Sequence, residues 1–212
     1  MPQSRRAVPD CCCGSEPDWA ARYRDGETPW DLGCAHPELR RRIDAGELQP
    51  RGSGRAWVPG CGRGHDLRQL SHAGWQVTGL DIVESLRGEV ASYCEASGGA
   101  FLLGDALACG APEPVDLIFD HTFFCALPPT RRAEFGAWVR SVLAPGGRVC
   151  SLVFPVDRPP DLGGPPFPMT TGDLSEALGQ DFLLLLDEAV KRPGEGRAWG
   201  ERWAVFERRD QG

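Results

Sequence analysis

The spacing of apolar positions changes along the chain and divides it. Residues 1 to 18 are polar, rich in Pro and Cys and without periodicity, which predicts a flexible tail. From Trp19 to Leu48 the spacing is helical, in two pieces. Trp19, Ala20 and Tyr23 fit one face of a short helix, Thr28 to Gly33 interrupts it, and Pro37 opens a second helix with Leu39 and Ile43 on one face. Short apolar runs then alternate with amphipathic stretches. Strands are predicted over Arg55–Pro59, Trp75–Leu80, Ala100–Leu103, Val115–Phe119 and Arg148–Phe154, and helices over His65–Ala73, Val83–Ala96 and Thr130–Leu143, the last stopped by Pro145-Gly146-Gly147. A short helix over Asp173–Leu178 precedes two further strands, Phe182–Ala189 and Trp203–Arg208, close enough in sequence to pair antiparallel. The pattern predicts an α/β fold: a seven-stranded, mostly parallel sheet with an antiparallel C-terminal strand and helices on both faces. Residues 19–212 read as one domain, with an N-terminal lid over 19–50 and a core over 55–208.

Composition narrows the partners. A formal charge of −7 without a basic stripe argues against nucleic acid, whose phosphates would need neutralising. No apolar run reaches the roughly 20 residues that a membrane helix requires, and Arg5 and Arg6 are not followed by the apolar stretch of a secretory signal. The nine cysteines are odd in number and irregular in spacing, so a disulfide framework is not expected and a reducing cytoplasm is. Three adjacent side chains, Cys11 to Cys13, do not close a tetrahedral site and no CxxC follows, so no metal is expected. A monomer acting on a small molecule is the simplest expectation.

In an open parallel sheet the ligand lies at the carboxyl ends of the strands, where the strand order reverses. The first strand runs into Gly60-Cys61-Gly62-Arg63-Gly64, glycines that allow positive φ and close approach of backbone N–H groups. The dinucleotide spacing would need glycine where His65 stands, which disfavours a nicotinamide cofactor. Asp81 follows the second strand, about twenty residues on, where a carboxylate can accept both hydroxyls of a ribose. Asp105 follows the third and can accept from an adenine amino group, although either acid can equally be a helix cap. Loop and acids together describe an adenosine site with no demand for phosphate.

Val58 to Asp66 followed by Gly79-Leu80-Asp81 resembles the class I S-adenosylmethionine-dependent methyltransferase signature. Thr28-Pro29-Trp30-Asp31 with Gly33, Leu117 to Leu127, Gly163-Gly164-Pro165-Pro166-Phe167 and Trp199-Gly200-Glu201-Arg202-Trp203 resemble, more narrowly, the thiopurine methyltransferase superfamily and its thiol and halide (thiocyanate) branch. The resemblance runs from about Trp19 to Arg208 and implies a Rossmann-like core. It implies that S-adenosylmethionine is wrapped by Gly60, Cys61, Gly62 and Gly64 and covered by Trp30. Asp81, with its neighbour Ile82, would hold the ribose; Asp105 and Ala106 would border the adenine; Asp120 would meet the methionine end. Trp19, Trp30, Phe123, Phe124, Cys125 and Phe167 would line the acceptor pocket. His121 stands where the plant branch commonly has tyrosine.

The resemblance implies methyl transfer to a small soft nucleophile by in-line displacement, the acceptor being a thiol, thiopurine, hydrosulfide, thiocyanate or halide. An anion needs no base, and the protein's task is then alignment in a dry pocket. A neutral thiol needs one, and His121 beside Asp120 is the first candidate; His36 and His65 come after it, and His72 reads as helix surface. Methylation at oxygen or nitrogen of another metabolite, and cofactor binding without catalysis, are the alternatives.

Overall fold

The computed structural model describes residues 17–210. Residues 1–16, with the expected tail and Cys11 to Cys13, lie outside them. Asp18, read from the sequence as the end of the tail, is instead the cap of the first helix: its Oδ1 accepts from the Ala21 N–H at 2.9 Å. The N-terminal segment holds α1 (Trp19–Asp25) and α2 (Pro37–Asp44). The core then runs β1 (Arg55–Pro59), α3 (His65–His72), β2 (Gln76–Asp81), α4 (Arg87–Ala96), β3 (Phe101–Leu103), β4 (Val115–His121), α5 (Arg132–Val142), β5 (Leu143–Val153), α6 (Thr171–Leu178), β6 (Phe182–Ala189) and β7 (Arg202–Arg208).

The seven strands form one sheet in the order β3-β2-β1-β4-β5-β7-β6. The first five pair in parallel, and β7 inserts antiparallel between β5 and β6. The expected α/β architecture with its antiparallel C-terminal strand is therefore present. The order reverses at β1, which pairs with both β2 and β4, so the carboxyl ends of β1 and β4 flank the crevice where ligands bind in such sheets.

Local differences from the sequence pattern have identifiable causes. β4 runs two residues past Phe119, because Asp120 and His121 pair with Ser151 and Leu152 of β5. β5 starts directly at Leu143. Pro145-Gly146-Gly147 is absorbed as an irregularity, with pairing jumping from Val115–Leu143 to Leu117–Arg148 and Gly146 at φ 71°. The helix expected from Val83 opens as a 3-10 turn over Glu84–Leu86 and becomes α-helical only at Arg87. Helix α6 begins two residues before Asp173, because Thr170 and Asp173 cap each other reciprocally.

Two apolar layers cover the sheet. Phe135, Trp138 and Val139 of α5 and Leu174 and Leu178 of α6 pack on one face with Ile118, Val149 and Phe206. Leu67 and Leu70 of α3, Val90 and Cys94 of α4 and Leu39 of α2 pack on the other with Val58, Phe119 and Trp203. The buried Glu38 and Arg42 fasten α2 to the C-terminal hairpin. Glu38 accepts from the Lys191 and Arg192 N–H groups, while Arg42 pairs with Glu188 and lies 4.7 Å over the Trp203 ring. No helix among the described residues is long and apolar enough to cross a membrane.

Candidate active site

The loop after β1 has Gly60, Gly62 and Gly64 at φ 57°, 53° and 74°, a conformation that L side chains resist. Close contact adds a second constraint. A Cβ on Gly60 would lie 2.7 Å from the Phe123 ring, and one on Gly62 2.7 Å from the Tyr23 hydroxyl. Asp81, at the end of β2, accepts from the Gly62 N–H at 2.9 Å and the Val83 N–H at 3.0 Å. It thus holds the loop from behind, and burial raises its pKa in spite of these donors. Burial likewise pushes the Cys61 thiol well above its ordinary range.

A small open cleft lies in front of this loop at the reversal of strand order. Its walls are Gly60 to Arg63, the lid residues Tyr23, Trp30, Asp31, Leu32 and Cys34, and His65, Asp66, His121 and Thr122. Trp30 stands edge-on to Trp19 and Tyr23, and its Nε1–H donates to the Tyr23 hydroxyl at 3.1 Å. Burial raises the Tyr23 phenol to about 12. Asp31 ties the lid to the glycine loop through Arg63 at 3.1 Å and lies 3.2 Å from His65 at the start of α3. Trp30, Gly60, Cys61, Gly62 and His121 thus line one cleft.

The other expected residues stand around the cleft rather than on its wall. Ile82 is 53% exposed. Asp105 is exposed, caps the Leu107 N–H and pairs with Arg131 at 2.9 Å, while Ala106 is buried. Gly64 starts α3 and packs toward Val90. Asp120 is buried and turned to the chain itself. Its Oδ1 accepts from the Phe123 and Phe124 N–H groups at 3.1 and 3.0 Å, and its Oδ2 from the Ser151 hydroxyl at 2.6 Å. It thereby fixes the turn after β4, where Thr122 carries φ 66°, rare for a β-branched residue. Phe124 and Cys125 are core; burial raises the Cys125 thiol to about 12. Phe123 lies against Gly60, and the Phe167 N–H donates to the Cys125 carbonyl at 2.7 Å.

Beside the cleft lies a linked cluster of five titratable side chains. His121 Nδ1 is 2.6 Å from Asp66 Oδ2, and Arg197 Nη2 is 2.6 Å from His121 Nε2. A guanidinium only donates, so Nε2 accepts and the proton of His121 sits on Nδ1, facing Asp66. Arg197 Nη1 lies 3.0 Å from Glu201 Oε1. Glu201 also accepts from the Gly194 N–H at 2.8 Å and lies 3.2 Å from His36 Nε2. His36 Nδ1 accepts from the Glu38 N–H, which leaves Nε2 as its donor, and the His36 ring stands edge-on to His121 at 5.1 Å. For His36, Arg197, Asp66 and Glu201 burial is the largest effect. It lowers the pKa values of His36 and Arg197, and it works to raise those of Asp66 and Glu201, which their donors and neighbouring cations nevertheless hold below the ordinary range.

Sequence reading missed Tyr23, Asp31, Asp66, Thr122 and Arg197 as parts of this site. Asp66 could have been found from its place in the first turn after the glycine loop. Arg197 could not, because it lies 76 residues from His121 in a polar segment without periodicity. Among the described residues no group of three or more His, Cys, Asp or Glu side chains is placed to hold a metal ion.

Comparison with known proteins gives the fold and the site their context. The chain is 34% identical over 193 residues to probable thiol methyltransferase 2 of Arabidopsis thaliana, covering 87% of this chain and 83% of that one. It is 34% identical over 167 residues to thiocyanate methyltransferase 1 of the same plant, covering 77% and 71%. Among solved structures, the 1,6-didemethyltoxoflavin-N1-methyltransferase of Burkholderia thailandensis superposes with a TM-score of 0.66 at 20% identity, covering 91% and 86%, a likeness of fold. Residues 15–201 match the thiopurine S-methyltransferase (TPMT) family, and the chain belongs to that family.

Proposed function

We propose that this chain is a methyltransferase that uses S-adenosylmethionine to methylate a small thiol-type acceptor. The observation that carries the reading is the cleft itself, with a glycine loop on one wall and the Asp66–His121 pair on another, under an aromatic lid. The residues present fit the cofactor. Gly60 and Gly62, at positive φ, bring bare backbone to the cleft wall, and Trp30 lines the cleft with them. Gly60, Cys61, Gly62 and Trp30 would hold the cofactor, with Asp81, Ile82, Asp105 and Ala106 toward its adenosine and Asp120 keeping the β4 turn in place. When bound, S-adenosylmethionine supplies a methyl group on a positively charged sulfur whose leaving form is a neutral thioether.

The chain's own work is to dry, align and deprotonate. Trp19, Tyr23 and Trp30 exclude water from the cleft, which strengthens the attack of a soft nucleophile. Asp66 holds the His121 proton on Nδ1, so that Nε2 is the basic atom. Phe123, packed against Gly60, would bound the acceptor side together with Phe167. The test is incubation with methyl-labelled cofactor and a panel of thiols, thiopurines, thiocyanate, iodide, phenols and amines. Labelled thioether is the expected product. Label found only in ethers or amines, or binding without turnover, would replace this reading.

A further inference from the structure

The basic atom of His121 is not free. Its lone pair is taken by Arg197 Nη2 at 2.6 Å, and the Arg197 side chain is only 7% exposed, packed 4.3 Å from the Phe154 ring. Arg197 also keeps an unused donor: Nη1 is buried with no well-formed hydrogen bond, although Glu201 is near it. We propose that His121 and Arg197 form an exchange pair, in which a neutral thiol gives its proton to His121 Nε2 and the guanidinium N–H thereby released is donated to the new thiolate. This rests on the thiol-methylating reading above and names the acceptor class within it: thiols that arrive protonated.

The exchange follows from donor and acceptor counting. Nε2 cannot carry a proton and accept from Arg197 at once. The S–H bond breaks, an N–H bond forms on Nε2, and the electron pair stays on sulfur. Arg197 loses its acceptor in the same event and can turn Nη2 to the sulfur. The proton leaves His121 for water once the thiolate has been consumed.

Charge around the pair favours this order. His121 is faced by Asp66 from α3, by the neutral His36 ring from the lid, and by Arg197 and Glu201 from the C-terminal segment; buried Asp120 precedes it on β4. Leaving Asp120 aside, two carboxylates stand against one guanidinium when both imidazoles are neutral. Such a cluster takes the proton onto Nε2 while the Nδ1–H stays on Asp66. It repels an acceptor that arrives already charged. The site therefore selects protonated thiols over thiocyanate or iodide, by a device that a simple cationic pocket would lack.

The test reads thiolate formation apart from turnover. Protein loaded with S-adenosylhomocysteine is mixed with 2-mercaptoethanol at neutral pH, and the ultraviolet difference band of the thiolate is recorded. A band in the wild type, lost in His121→Gln and in Arg197→Met and partly restored in Arg197→Lys, is expected. Turnover is then compared for thiol and thiocyanate. His121→Gln should cost the thiol at least about 100-fold, as loss of a general base does. That loss should shrink as pH rises, and the loss for thiocyanate should be far smaller. Absence of the band in the wild type, or equal losses for both acceptors, would overturn the exchange and leave thiol methylation standing. A wild-type band with no methylation of any acceptor would keep the exchange and sink the proposed function.

Discussion

Asp120 shows how an acid at a strand end serves a site without facing it. Two backbone N–H groups and one hydroxyl converge on its buried carboxylate, and the turn that carries Thr122 and Phe123 is held by those bonds. Asp120→Ala leaves three buried donors without a partner, and each such orphan costs roughly 1–3 kcal/mol. The variant is expected to lose about 3 kcal/mol or more in urea denaturation. Asp120→Asn keeps an acceptor oxygen for the two N–H groups and should lose clearly less. Equal stability of the two variants would show that the carboxylate's hydrogen bonds do not hold the turn. The sequence made Asp120 legible as a strand-end acid, because the end of an apolar run marks the sheet's carboxyl edge. It did not show which way the carboxylate turns, since that depends on Ser151 of the neighbouring strand. The positive φ of Thr122 had no signal at all, because threonine is not a residue that advertises it.

At the scale of elements, alternation of apolar runs and amphipathic stretches was enough to place the strands, since burial on both faces leaves a plain mark on the central ones, while the edge strand β6 keeps an apolar run although Leu183 to Leu185 are exposed. What it did not show is how closely elements approach. Gly136 lies in the middle of α5, where a Cβ would overlap the Ala177 carbonyl of α6. The two helices cross there only because that Cβ is missing. Gly136→Ala improves local helix propensity by up to about 1 kcal/mol but must push the helices apart, and overpacking of this kind costs about 1–3 kcal/mol. Net destabilisation in denaturant is expected; a more stable variant would mean that α6 shifts freely. The lid is a second case. Asp31 bridges it to Arg63 of the glycine loop and lies 3.2 Å from His65 at the start of α3. Asp31→Asn should weaken cofactor binding about tenfold, the equivalent of ~1.4 kcal/mol, while the thermal midpoint hardly moves. Titration of tryptophan fluorescence with S-adenosylhomocysteine reads this through Trp30, and unchanged affinity would separate the lid from the loop.

Across the whole molecule, the cluster from His36 to Asp66 joins parts that are far apart in sequence: the entrance to α2, the first turn of α3, the end of β4 and the segment before β7. Local pattern could not reveal it, because each member is an ordinary polar residue until the fold brings the five together. Its pH dependence can be worked out from His36. Burial holds this imidazole neutral, with Nδ1 accepting from Glu38 and Nε2 turned to Glu201. The unfolded chain protonates it at the ordinary value near 6.5. Below about that pH the unfolded state binds more protons than the folded one, so stability falls on acidification by up to ~1.4 kcal/mol per pH unit. Asp66 and Glu201 act in the same direction at lower pH. Their depressed pKa values contribute stability that is full above the ordinary carboxylate range and is lost as pH falls through the folded values. Denaturation between about pH 7.5 and 2.5 is therefore expected to show stability declining from about pH 6.5 and declining again below the carboxylate range. His36→Gln removes the titrating group while leaving an amide to donate to Glu201. Its stability at pH 7.5 should be lower than that of the wild type, and its slope between pH 6.5 and 5 shallower. A variant that keeps the full slope would show that another group takes up the proton, and that His36 joins the lid to the core without answering to pH.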